Sequence, residues 1–102
     1  MNSRERDFLR KMAHDLNPMV RVGKEGYTEN LKQSILDVID SRELIKVKLL
    51  QTVEMDKKEI TSIIQEKTGC ELVGLIGKTI ILYKENKEKP KVSLILKNAR
   101  LK

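Results

Sequence analysis

The chain has 102 residues, with 21 Lys and Arg against 15 Asp and Glu for a formal net charge of +6, and it carries one Cys and one His. That length suits one domain with a modest core; the lone Cys70 excludes an internal disulfide, and with His14 as the only imidazole no Cys/His zinc set can form. No apolar run approaches the roughly 18 residues of a membrane span, and Met1-Asn2-Ser3-Arg4-Glu5-Arg6-Asp7 lacks the apolar stretch of a signal peptide, so the chain reads as soluble and cytoplasmic with no membrane partner.

In chain order, Ser3 is placed to cap a first helix in which Phe8, Leu9, Met12 and Leu16 recur at helical spacing until Asn17-Pro18 ends it. Arg4, Arg6, Arg10 and Lys11 lie away from that apolar stripe, and Lys11 and His14, three apart, share a face. Met19 to Val22 predicts a short strand. Next comes Val22-Gly23-Lys24-Glu25-Gly26-Tyr27-Thr28-Glu29, in which two glycines bracket a charged pair between strand and helix. Lacking Cβ atoms, Gly23 and Gly26 can take positive φ and let main-chain N–H groups approach a ligand closely. The helix start that follows adds unpaired donors and the positive end of a dipole, a combination that favours phosphate. Lys24 adds a mobile charge at the tip. A plain strand-to-helix turn is the simpler reading of the same residues.

Thr28 caps a second helix with the buried stripe Leu31, Ile35, Leu36, Val38 and Ile39, ending near Ser41. Leu44 to Leu50 alternates at period two, which turns Ile45, Val47 and Leu49 to one side and Lys46 and Lys48 to water as a basic ridge. Asp56 with Glu59 starts a third helix, faced by Ile60, Ile63 and Ile64 and stopped at Thr68-Gly69. Glu71 to Ile76 and Thr79 to Lys84 are strand-like runs joined by Gly77-Lys78, which suits a tight hairpin. Glu85 to Lys91 reads as a linker, and Val92 to Leu96 as an added edge strand. The order α-β-α-β-α-β-β predicts a compact α/β sandwich on one mixed, four-stranded sheet. The division is residues 1–85 as the domain and 86–102 as a basic extension.

Charge is unevenly spread, since residues 1–77 hold 13 basic and 13 acidic side chains and residues 78–102 hold 8 and 2. A basic end points to a polyanionic partner, although such tails also serve as solubilising ends. Gly77-Lys78-Thr79 looks like the close of a phosphate-binding Gly-x-x-x-x-Gly-Lys-Thr loop, but Leu72 stands where the first Gly is required and a strand follows where a helix must. Lys78 is therefore a turn cation. His14 beside Asp15 has no Ser or Cys nucleophile near it in sequence, so no catalytic role, cofactor or small-molecule substrate is assigned. Cys70 reads as a small buried hydrophobe, and the methionines form no stripe.

Five short motifs occur in order: Ala13-His14, Pro18, Gly23-Lys24-Glu25-Gly26, Leu44-Ile45-Lys46-Val47-Lys48 and Ile76-Gly77-Lys78-Thr79. Over about residues 3 to 94 this pattern resembles the CRM domain, the chloroplast RNA splicing and ribosome maturation family, and particularly its small stand-alone YhbY-like bacterial members. Tyr27, where an aliphatic residue is usual, and residues 95–102, beyond the usual end, depart from it. The resemblance implies a fold similar to the C-terminal domain of translation initiation factor three. It also implies RNA binding centred on the Gly-x-x-Gly loop, and a role as a large-subunit assembly factor acting on ribosomal RNA or its precursor particles. The expected RNA contacts are Gly23, Lys24, Glu25 and Gly26 with Arg10, Lys11, His14, Lys46, Lys48 and Lys78. With Phe8, Tyr27 and Tyr83 as the only aromatics, backbone recognition is favoured over base stacking. The chain is expected to act as a monomer. The competing reading is a protein-interaction module that pairs the edge 92–96 with a partner's sheet.

Overall fold

A computed structural model describes residues 1–99. Four helices, α1 (Ser3–Ala13), α2 (Glu29–Arg42), α3 (Lys57–Thr68) and α4 (Val92–Asn98), surround strands β1 (Val20–Val22), β2 (Leu44–Leu49), β3 (Glu71–Ile76) and β4 (Thr79–Tyr83). The strand order is β1-β2-β4-β3, with β1 parallel to β2 and the other pairings antiparallel, so the expected four-stranded mixed sheet is present.

Period-two alternation gives the sheet two apolar faces, each with its own core. On one, Ile45, Val47, Leu49, Ile80 and Leu82 meet Leu31, Ile35 and Ile39 of α2 and Ile60 and Ile64 of α3. On the other, Leu44, Ile81, Tyr83 and Val73 meet Leu9 and Ala13 of α1, with Val92 and Leu96 of α4 against them. A bulge between Leu72 and Gly74 in β3 sets Val73 into this second core and lays the Arg10 side chain over Gly74, where an added Cβ would stand 3.3 Å from Nε.

The helix ends carry the local chemistry that starts and stops them. Asn2, rather than Ser3, caps α1, in a reciprocal box in which its side chain accepts from the Glu5 N–H and its own N–H donates to the Glu5 carboxylate. The helix stops at Ala13, earlier than Asn17-Pro18 suggested. Thr28 caps α2, Asp56 accepts from the Lys58 and Glu59 N–H groups to cap α3, and left-handed Gly69 closes α3.

Two features differ from expectation. Residues 92–96 are helical, not an edge strand; a five-residue apolar run suits either period, and here Val92 and Leu96, one helical turn apart, both reach the second core. The segment before α4 is no free linker. Glu43, fully buried and at a φ of 66°, follows α2 and turns its carboxylate onto the N–H groups of Asn86, Lys91 and Ser93 and onto the Ser93 hydroxyl, all at 2.7–2.9 Å. Asn86 adds a bond to the Asp40 carbonyl and accepts from Glu88 and Lys89. Burial alone would raise the Glu43 pKa; the amides of Asn86, Ser93 and Lys91 and the Ser93 hydroxyl outweigh it and hold the carboxyl below its ordinary value.

Candidate nucleic-acid interface

The register gathers three loops at one end of the sheet. β1 and β2 run in parallel into Gly23 and Leu50, with the Leu50 N–H on the Val22 carbonyl, and the β3–β4 turn lies beside them because the Leu49 N–H donates 2.7 Å to the Lys78 carbonyl. Gly77 takes a φ of 59°, which a tight turn needs, and Lys57 at the start of α3 reaches its carbonyl at 3.4 Å.

The Gly-x-x-Gly segment is a turn closed by the Gly26 N–H on the Gly23 carbonyl at 3.0 Å. Among the described residues no acceptor engages the N–H groups of Gly23, Lys24 or Glu25. The two glycines have different reasons to be there. Gly26 sits at a φ of 67°, a conformation that L side chains avoid. Gly23 does not share that conformation, and a Cβ on it would meet only the Thr52 hydroxyl at 3.8 Å, an ordinary contact. The fold does not require glycine at position 23.

Lys24 and Glu25 are exposed, and the loop forms one wall of an open groove of about 780 Å³ between β1 and the first half of α2. Thr28 accepts the Leu31 N–H, leaving the earlier donors of the α2 first turn pointed the same way. Glu25 and Glu29 put two carboxylates at this loop, so its cationic character depends on Lys24 and on neighbours from other elements. Tyr27 packs against the first core, and burial followed by the Glu29 charge pushes its phenol above the ordinary value.

Lys48 is exposed on the α1 side of the sheet, and Lys78 is exposed in the adjoining turn. Register pairs Lys48 with Arg21 of β1, also exposed, a cation that the sequence reading passed over because a three-residue strand does not declare its faces. Lys46 departs from the basic ridge: it is half-buried, and its Nζ donates to the carbonyls of His14 and Leu16 at 3.1 and 3.0 Å, where it neutralises the C-terminal end of α1. Arg10, Lys11 and His14 are exposed on the half of α1 nearer these loops; Lys11 pairs with Asp7 at 3.4 Å, and Arg10 lies over β3. The loop residues with Lys48 and Lys78 therefore share the sheet end, α1 brings Arg10, Lys11 and His14 along its side, and Lys46 serves as a structural tie. Among the described residues no three His, Cys, Asp or Glu side chains gather as metal ligands, and no helix is long and apolar enough to cross a membrane.

Residues 1–84 match the model of the CRS1 / YhbY (CRM) domain. The chain belongs to the CRM domain family. It is 39% identical over 94 residues to "Probable RNA-binding protein YqeI" of Bacillus subtilis, covering 92% of this chain and 98% of that one. It is also 33% identical over 88 residues to an "RNA-binding protein" of Haemophilus influenzae, covering 86% and 89%. The solution structure of the hypothetical protein SAV1595 from Staphylococcus aureus superposes with a TM-score of 0.72 at 40% identity, covering 89% of this chain and 99% of that one. The family model ends at residue 84, just before the segment that Glu43 holds.

Proposed function

We propose that this CRM-family protein binds structured RNA by its sugar-phosphate backbone and acts in the cytoplasm as an assembly factor on the large ribosomal subunit or its precursor. No catalytic step belongs to this reading. The observation that carries it is the loop itself: three unengaged amides beside a glycine that has room for a side chain. If nothing inside the molecule demands glycine at position 23, the close approach of something outside accounts for it. The relatives' names and the family membership supply RNA as that partner.

In this reading the amides of Gly23, Lys24 and Glu25, with the turn held open by Gly26, receive phosphate oxygens at the start of α2. Lys24, Lys48 and Lys78 neutralise flanking phosphates, with Arg10, Lys11 and His14 along the side of α1, while Lys46 holds the end of that helix in place. Phosphate contacts of this kind position a protein without reading sequence. A KH module clamps a nucleic-acid backbone with a similar Gly-x-x-Gly loop set in a different frame.

Filter binding to ribosomal RNA fragments over a range of salt tests the mechanism. Log affinity should fall linearly with log salt by about 0.7 to 0.9 for each phosphate neutralised. Gly23→Ala should weaken binding with the fold intact. Flat salt dependence, or full affinity in Gly23→Ala, would remove the loop from the interface. Sedimentation of lysate tests the assembly role, with co-migration expected with precursors of the large subunit rather than with mature ribosomes.

A further inference from the structure

The last row of the sheet on the α1 side is left uncovered. Register sets Arg21, Lys48, Thr79 and Ile76 side by side across β1, β2, β4 and β3, and strand spacing makes the row about 14 Å long. One row further in, Lys46 and buried Ile81 lie beneath the end of α1, so cover stops one residue short of this row. Arg21 and Lys48 are exposed, Thr79 is half-buried, and Ile76 is 57% exposed, the largest exposure among the large apolar side chains described.

Ile76 thus stands on an uncovered part of the sheet face, separated from Lys48 by Thr79 and from Arg21 by one strand more. The other two exposed apolar residues, Leu94 and Ile95, lie on α4, toward the Tyr83 end and away from the loops. All three aromatics are occupied in the cores: Tyr83 is buried in the second, Phe8 packs against it, and Tyr27 packs against the first. A nucleobase arriving at this surface therefore finds no exposed Phe or Tyr ring among the described residues, and the exposed imidazole of His14 lies apart from the row, at the end of α1. The apolar surface open to it at the loop end is Ile76, with the Thr79 hydroxyl beside it, Lys48 two strands away and Arg21 three.

We propose that this row seats an unpaired nucleotide of the RNA held by the glycine loop, its base lying on Ile76 and its flanking phosphates on Lys48 and Arg21. Charge complementarity across the row identifies the occupant as a polyanion with an apolar face, which a single-stranded nucleotide has and a paired one, with its bases stacked inside the helix, does not. The inference rests on the RNA-binding reading above and adds to it a preference for unpaired segments.

The test compares the wild-type chain with Ile76→Ala, Arg21→Ala and Gly23→Ala on two RNA probes, a hairpin with an unpaired loop and the same stem fully paired. Ile76→Ala should weaken hairpin binding roughly fivefold, with unchanged salt slope and unchanged duplex binding. Arg21→Ala should lower the salt slope by about 1. Circular-dichroism melts confirm that each variant is folded; if Ile76→Ala destabilises the hairpin turn, Ile76→Val supplies the smaller deletion with the same expected direction. Equal binding of hairpin and duplex by Ile76→Ala and wild type, or an equal loss on both probes, overturns the seat for a base. Where Gly23→Ala still weakens binding in that outcome, the backbone reading stands without it; where the wild type binds neither probe, both fall.

Discussion

At the Tyr83 end of the sheet a carboxylate is fully buried and surrounded by four donors, whereas at the Thr79 end amides stand without partners among the described residues and cations face outward. Both ends place polar groups where strands meet loops, and they differ in who satisfies them. Glu43 is satisfied by this chain's own residues, which ties the segment after β4 to the end of α2 and seats α4 on the second core. The proposed interface leaves the loop amides for a partner. In the proposed reading, one end of the sheet serves stability and the other recognition, and substitutions at the two ends should separate along that line.

The largest effect is expected at Glu43. Glu43→Gln keeps the shape but exchanges a charged acceptor for an amide that can satisfy fewer of the four donors, and it should cost about 3 kcal/mol in urea unfolding. RNA affinity of the folded fraction should change little, because the loop end shares no hydrogen bond with this cluster. Acid reaches the same cluster by another route. Since the folded pKa of Glu43 lies below its unfolded value, its contribution is complete above the ordinary carboxyl value and is lost as pH falls through the folded one. Amide protection at Lys91 and Ser93, measured against the intrinsic exchange rate at each pH, should therefore fall on acidification before protection in β2 does. Simultaneous loss of protection everywhere would mean that the two ends unfold as one unit.

Much of the Thr79 end of the fold is legible in the sequence, and most of the Tyr83 end is not. The helices over 29–42 and 57–68 follow from apolar spacing and from Thr28 and Asp56 at their starts, and the sheet follows from alternation in Leu44–Leu49 and the Gly77 turn. These signals are local, with cause and consequence a few residues apart. Glu43 has no such signal, because its partners lie 43 to 50 residues downstream. Only an oddity marks it: an acid at a helix C-terminus, where the dipole favours a base and positive φ favours glycine. The same limit explains Lys46. Period two shows correctly which face it is on, but not that the end of α1 arrives there with two free carbonyls.

Lys46 gives the next effect in size. Lys46→Met keeps the aliphatic stem and removes both bonds to the His14 and Leu16 carbonyls, which should cost about 1 to 2 kcal/mol in the same unfolding assay. Lys48→Ala, one row nearer the loops and exposed, should leave stability within about 0.5 kcal/mol and lower the salt slope of RNA binding by about 1. A Lys46→Met chain of unchanged stability, with a reduced salt slope, would return Lys46 to the interface and erase the distinction drawn between neighbouring lysines.

The two glycines draw the boundary between the ends most finely. Gly26→Ala forces a side chain into left-handed backbone and should cost about 1 kcal/mol, a stability effect inside the recognition end. Gly23→Ala should stay within about 0.5 kcal/mol of wild type or be slightly more stable, since it removes unfolded-state freedom without strain or a close contact. Both variants should bind RNA more weakly, but for separable reasons. Gly26→Ala disturbs the turn that holds the amides open, and Gly23→Ala puts a methyl group where the proposed interface brings the phosphate backbone. If the two lose stability equally, Gly23 is a structural glycine, the argument from its unused space fails, and the loop becomes an ordinary connection between β1 and α2.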